Sequence, residues 1–143
     1  MLSQKTKYAL RAVLYLSVQA KNQEIKGGKE ISDELKIPSA FTNKILQELA
    51  KKNIVSSVKG PRGGFFLSEK NLRLPLIQII NAMDDMAFFH SCGLGLSECS
   101  EEKPCPVHGT FKIARNNLFQ LFSTKTIKEL SEEIINKDFF LVR

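Results

Sequence analysis

No run of eighteen apolar residues occurs in this 143-residue chain, which excludes a membrane-crossing helix. The opening residues, MLSQKTKYALRAVLYLSVQAKN, are amphipathic and lack a small-residue cleavage site, so they do not read as a secretion signal. A cytoplasmic protein is expected. Histidine is scarce, with two copies, and cysteine occurs three times. No nucleophile–base constellation can be assembled from these, and no phosphate-binding glycine loop opens a helix, so an enzyme is not expected. Internal repeats and low-complexity segments are absent. Three cysteines in a reducing compartment point away from a disulfide framework and toward metal or redox chemistry.

What is present is a genuine core and a lopsided charge. Apolar residues make up 43% of the chain, enough for one compact domain with an appended helix. Residues 1–75 hold 14 Lys/Arg against 6 Asp/Glu, whereas residues 76–143 hold 7 against 9. A basic first half suits phosphate binding, because each neutralised phosphate releases counterions.

Ser3 is placed to cap a first helix, along which Ala9, Ala12, Val13, Leu16 and Ala20 recur at helical spacing. Lys26-Gly27-Gly28-Lys29 reads as the turn that ends it. Ile31 and Leu35 then mark a short helix, closed by Ile37-Pro38 because a residue before proline is pushed out of helical geometry. Ser39 reads as the cap of a second helix with Phe41, Ile45, Leu46 and Leu49 on its apolar face. Thr42, Asn43 and Lys44 are thereby left on or near the other side, the pattern of a helix-turn-helix.

Two short strand candidates follow, Ile54 to Val58 and Phe65-Phe66-Leu67, joined by Lys59-Gly60-Pro61-Arg62-Gly63-Gly64. A hairpin directly after a helix-turn-helix is a wing, with Gly60 permitting close backbone approach to DNA and Lys59 and Arg62 reaching phosphates or the minor groove. Pro75 opens the helix PLIQIINAMDDMAFF. From Thr110 a further helix carries Phe111, Ala114, Leu118 and Leu121, with Phe119 and Phe122 adding apolar surface. So much exposed apolar area predicts a dimer interface. Ser131 to Asn136 reads as a last short helix before a loose tail. The expected fold is mainly α with one small β-hairpin. Residues 1–75 form the winged helix-turn-helix reader, and residues 76–143 the cysteine-loop sensor and dimerisation region.

Between the last long helices lies HSCGLGLSECSEEKPCPVHGTF, which contains Cys92, Cys99, Cys105 and His108. Thiolate and imidazole donors this close in sequence suit a soft or borderline metal centre. Zinc sites usually bring ligands in tight pairs two to four residues apart, and the three cysteines contain no such pair. Three readings stand: an iron–sulfur cluster, a metal-free thiol switch through Cys99 or Cys105, and a stabilising zinc ion. Glu98, Glu101 and Glu102 read as a solvated acidic face, and His90 as a loop residue.

KYALRAVLYLS, IPSAFTNKILQELAKKNIVSSVKGPRGGFFLS and CGLGLSECSEEKPCPVH together resemble the Rrf-two family of winged-helix repressors, with members of the IscR, NsrR and CymR types. The resemblance spans nearly the whole chain, and SVKGPRGGFFL is its most specific segment. It implies a homodimer that reads a palindromic operator in double-stranded DNA, with Asn43 and Lys44 facing bases, Ser39 and Thr42 nearby, and the wing at the minor groove and backbone. Lys59 stands where the family most often has arginine, and Arg62 where many members have glycine. In cluster-binding members the three loop cysteines hold an iron–sulfur centre whose fourth ligand varies. NsrR-like members use an aspartate before the first-helix tyrosine, where this chain has Lys7 before Tyr8. IscR-like members use a histidine three residues after the third cysteine, where His108 stands. The implied cofactor is a 2Fe–2S cluster on Cys92, Cys99, Cys105 and His108, sensing iron–sulfur, redox or nitrosative status.

Overall fold

The computed structural model describes residues 1–143. Helix α1 (Gln4–Gln19) begins where the Ser3 hydroxyl accepts a hydrogen bond from the Thr6 amide at 3.2 Å. Its inner stripe, Ala9, Ala12, Val13 and Leu16, is fully buried. Helix α2 (Gly28–Leu35) starts inside the segment expected to be a turn, and ends at Lys36 in the left-handed region, φ 51°. Helix α3 (Ser39–Lys51) follows Ile37-Pro38, with Pro38 itself in the cap position. Ser39 is therefore the first helical residue and makes no capping bond, a correction to the sequence reading. Ile31, Leu35, Ile45, Leu46 and Leu49 close the helix-turn-helix core at 2% exposure or less. Each such side chain contributes about 1.5–3 kcal/mol of burial.

The wing consists of β1 (Ser56–Val58) and β2 (Gly64–Phe66), antiparallel, with Ser56 opposite Phe66 and Val58 opposite Gly64. Lys26 extends this sheet by one residue: its amide donates to the Phe65 carbonyl at 2.9 Å, and the Phe65 amide returns a bond at 2.8 Å. The turn is tight enough that a Cβ on Gly63 would lie 2.0 Å from the Val58 carbonyl oxygen, and Gly60 sits at φ +107°. A one-turn helix, α4 (Glu69–Leu72), is capped reciprocally by Ser68 and Asn71.

The helix expected from Pro75 through Phe89 is interrupted. Helix α5 (Ile77–Ala82) ends at Met83, Asp84 turns left-handed at φ 58°, and residues Met86–Phe89 form a 3-10 turn. After the cysteine loop come α6 (His108–Thr124) and α7 (Ile127–Asn136), the latter opened by a Thr126–Glu129 capping box four residues before the predicted start. Helix α7 packs on α1. The core is continuous from Ala9 through Leu76, Ile79 and Met83 to Ile127, so no boundary after residue 75 parts two cores. The chain's end is held as well: Arg11 donates to the carbonyls of Leu35 and Leu141, and Leu141 and Val142 pack on the core where a loose tail was expected. The architecture is mainly helical with one small antiparallel hairpin, as the sequence predicts.

Candidate DNA-reading face and cysteine centre

Helix α3 presents Ser39, Asn43 and Lys44 to solvent, and the wing presents Lys59, Gly60 and Arg62. Thr42 does not join them. It is 1% exposed, and its hydroxyl donates to the Pro38 carbonyl at 3.0 Å. A threonine is tolerated inside because that bond satisfies its only polar atom. Phe41, expected in the core, is instead 57% exposed, edge-on to Tyr8 at 6.4 Å. The buried stripe thus runs through Thr42, Ile45, Leu46 and Leu49.

Two further members of this face went unread in the sequence. Gln47 and Lys51 follow Asn43 at successive four-residue steps, which puts all three on one helical stripe. Gln47 and Lys51 line a groove of about 630 Å³ whose other wall is Ser57, Lys59 and Gly60 of the wing. Lys44, Lys51, Lys59 and Arg62 take part in none of the chain's ion pairs, so their charge is free. The one acid on α3, Glu48, is turned to the other side by Lys5 at 2.8 Å and Lys52 at 3.4 Å. The Lys5 hydrogen bond does most to hold its carboxyl below the usual carboxylate range.

The four candidate ligands lie in the loop and at the start of α6, and the fold sorts them into two pairs. Cys92 and Cys105 face each other with sulfurs 3.9 Å apart. Cys99 Sγ lies 3.5 Å from Nδ1 of His108, the first residue of α6. No three of the donors converge on one point. Cys92 is buried, and Cys99 and Cys105 are half-buried. The backbone amides of Leu94 and Leu96 pull the Cys92 thiol below its ordinary range against the opposing effect of burial, which favours the thiolate a metal needs. His90 is exposed at the end of the 3-10 turn.

The loop is tied down at three places. Arg115, the only buried residue of α6, donates to the Ser91 carbonyl at 2.7 Å and lies over the Phe111 ring. Asp85, seven residues before Cys92, accepts bonds from the Ser3 amide at 2.7 Å and the Thr6 hydroxyl at 2.6 Å. Burial pushes the Asp85 carboxyl up, but the Thr6 and Ser3 hydrogen bonds outweigh it and hold it below the usual range. Glu101 is not a free solvated acid: it contacts both His108, 3.2 Å from Nε2, and Lys112. Beyond the loop, Ile113, Leu118 and Leu121 of α6 stand exposed at 65%, 39% and 47%.

The residue pattern of the Rrf2 family, described as iron-dependent transcriptional regulators, matches residues 2–133. A protein of Aquifex aeolicus that carries the name of an HTH-type transcriptional regulator is 35% identical over 130 residues, 90% of this chain and 89% of the relative. Two solved structures share the fold. CymR, the global cysteine regulator of B. subtilis, superposes with a TM-score of 0.72 at 16% identity, over 92% of this chain and 96% of its own. T. potens IscR superposes with a TM-score of 0.71 at 15% identity, over 98% and 92%. The family match over residues 2–133 and the Aquifex aeolicus relative establish that the chain belongs to the Rrf2 family of DNA-binding transcriptional regulators and is not an enzyme.

Proposed function

We propose that this regulator carries a 2Fe–2S cluster on Cys92, Cys99, Cys105 and His108, and that the cluster's state modulates operator binding by a homodimer. The observation that carries the reading is the division of the donors into two pairs. A structural zinc ion takes four ligands around one centre. A 2Fe–2S cluster has two irons, each with two protein ligands, and the pairs Cys92–Cys105 and Cys99–His108 match that demand. Three thiolates and one imidazole, soft and borderline donors, are also ligands such a cluster takes. The metal-free thiol switch is weaker here, because the closest thiol pair includes the buried Cys92.

When bound, the cluster supplies a redox-active, oxidant-labile centre. The chain's own residues carry its state to DNA. Asp85 fastens the segment before the loop to the first turn of α1. Lys5 of that turn holds Glu48 of α3. Arg115 fastens the loop to α6, whose exposed Ile113, Leu118 and Leu121 supply the dimer face. In this division residues 1–75 read DNA while 76–143 sense and dimerise. Paired recognition helices must meet half-sites about one helical turn apart, so a small shift of α6 changes affinity for a palindrome. Ser39, Asn43 and Lys44 enter the major groove, and Lys59, Gly60 and Arg62 contact the minor groove and backbone.

The test is the visible spectrum of protein purified without oxygen, with iron, acid-labile sulfide and zinc assayed on the same sample. About two irons and two sulfides per chain are expected, lost in Cys99→Ala while DNA-free stability is retained. A chain that stays iron-free after reconstitution overturns the cluster. Operator binding that is identical with and without the cofactor overturns the gating. Lys44→Ala and Lys59→Ala together should weaken operator binding by roughly 1–3 kcal/mol and lower its salt dependence.

A further inference from the structure

His108 is the one candidate ligand whose two donor atoms point to different neighbours. Nδ1 faces the Cys99 sulfur at 3.5 Å. Nε2 is buried and completes no hydrogen bond, although the Glu101 carboxylate lies 3.2 Å away, off the line of the ring N–H. Leaving a buried ring N–H unpaired costs about 1–3 kcal/mol, and a small rotation of an exposed glutamate side chain removes that cost. Glu101 is kept within reach by Lys112, one turn further along α6 from His108.

From this arrangement we infer that Glu101, anchored by Lys112, is a positioning residue that fixes His108 as an Nδ1 ligand. The inference rests on the cluster reading for its consequence and on the loop geometry for its substance. A carboxylate on one ring nitrogen places the proton there and leaves the lone pair on the other. Here Nε2 receives the proton and Nδ1 is left free beside Cys99. The two then form one donor pair, serving a single iron, with Cys92 and Cys105 on the second. Lys112 offsets the charge that Glu101 brings to an already anionic thiolate cage. Second-shell carboxylates of this kind raise ligand basicity and set how firmly the metal is kept.

Two measurements on the full chain separate this inference from the reading beneath it. The first uses metal-free protein labelled with ¹⁵N-histidine, in alkaline buffer where free imidazole is neutral. Only two histidines exist, so His90→Gln identifies the His108 ring. Long-range ¹⁵N–¹H spectra should show its proton on Nε2. Glu101→Ala should give a mixture of tautomers, and Glu101→Gln, whose amide oxygen still accepts a bond, should restore Nε2–H. A proton on Nδ1, or a ratio unmoved by Glu101→Ala, overturns the assignment. The second measurement follows iron loss and reduction potential in reconstituted protein. Glu101→Ala should lose iron about 10-fold faster and shift the potential upward, because a negative charge is removed. Unchanged tautomer and unchanged iron retention sink Glu101 while the cluster stands. A fixed tautomer in a chain that never takes up iron sinks the cluster while Glu101 keeps its place.

Discussion

Helices α3 and α6 are similar in length but differ in what holds them. Helix α3 buries Thr42, Ile45, Leu46 and Leu49 within its own chain, and its exposed residues are polar apart from Ala40 and Phe41. Helix α6, four residues longer, buries only Arg115 and exposes Ile113, Leu118 and Leu121. One helix is positioned by the monomer. The other leaves an apolar face uncovered, which the homodimer proposed above would cover with a second copy.

The contrast can be broken most severely in α3. Leu46→Ala removes a fully buried side chain at the centre of the helix-turn-helix. It should cost about 2–5 kcal/mol of unfolding free energy, read by urea titration, and should abolish operator binding at temperatures where the wild type is folded. A loss below the lower bound would show that α3 is looser than its burial indicates. In α6 the opposite signature is expected. Ile113→Asp should leave the unfolding free energy of the isolated chain within about 0.5 kcal/mol yet weaken self-association at least tenfold, or about 1.4 kcal/mol. Sedimentation equilibrium decides this, and unaltered association would move the dimer face elsewhere.

A smaller effect sharpens the link between the two regions. The folded Asp85 carboxyl is held below its ordinary range, so the stability it contributes is present above the unfolded value near about pH 4 and is lost as pH falls through the folded one. Melting curves should therefore show Asp85→Asn least stable relative to wild type near neutrality, with the gap closing in acid. A gap that is constant with pH would mean the Ser3 and Thr6 bonds do not depend on charge.

Much of the reader was legible because its signals are local. Ile37-Pro38 marks the turn between α2 and α3, and the glycines of KGPRGG mark the wing. On α3 Ile45, Leu46 and Leu49 are buried as expected, and the one misplaced position is Phe41, whose inward place Thr42 takes. Phe41 and Thr42 compete for the same inward position, and hydrophobicity favours the wrong one unless the Pro38 carbonyl is known to be within reach of the Thr42 hydroxyl. Helix α7 announces itself in Thr126-x-x-Glu129, a capping signal that apolar periodicity passes over. The break after α5 has no proline or glycine to flag it, since Asp84 supplies the left-handed turn. At the candidate site the four donors could be listed from sequence, but not their pairing. Residues nine and thirteen apart in an aperiodic loop have no register until the chain is folded.

The bond pair between Lys26 and Phe65 sets a limit on how the wing can adapt. It fastens the base of the hairpin to the segment joining α1 and α2, so the hairpin cannot swing as a lever about its root. Only the tip, from Lys59 to Arg62, retains freedom to follow a groove that is wider or narrower than its resting reach. Tolerance for operators of different local shape is thereby confined to four residues. Amide exchange should be slow at Phe65 and fast at Gly60, separating a fixed root from a yielding end within a single short ribbon.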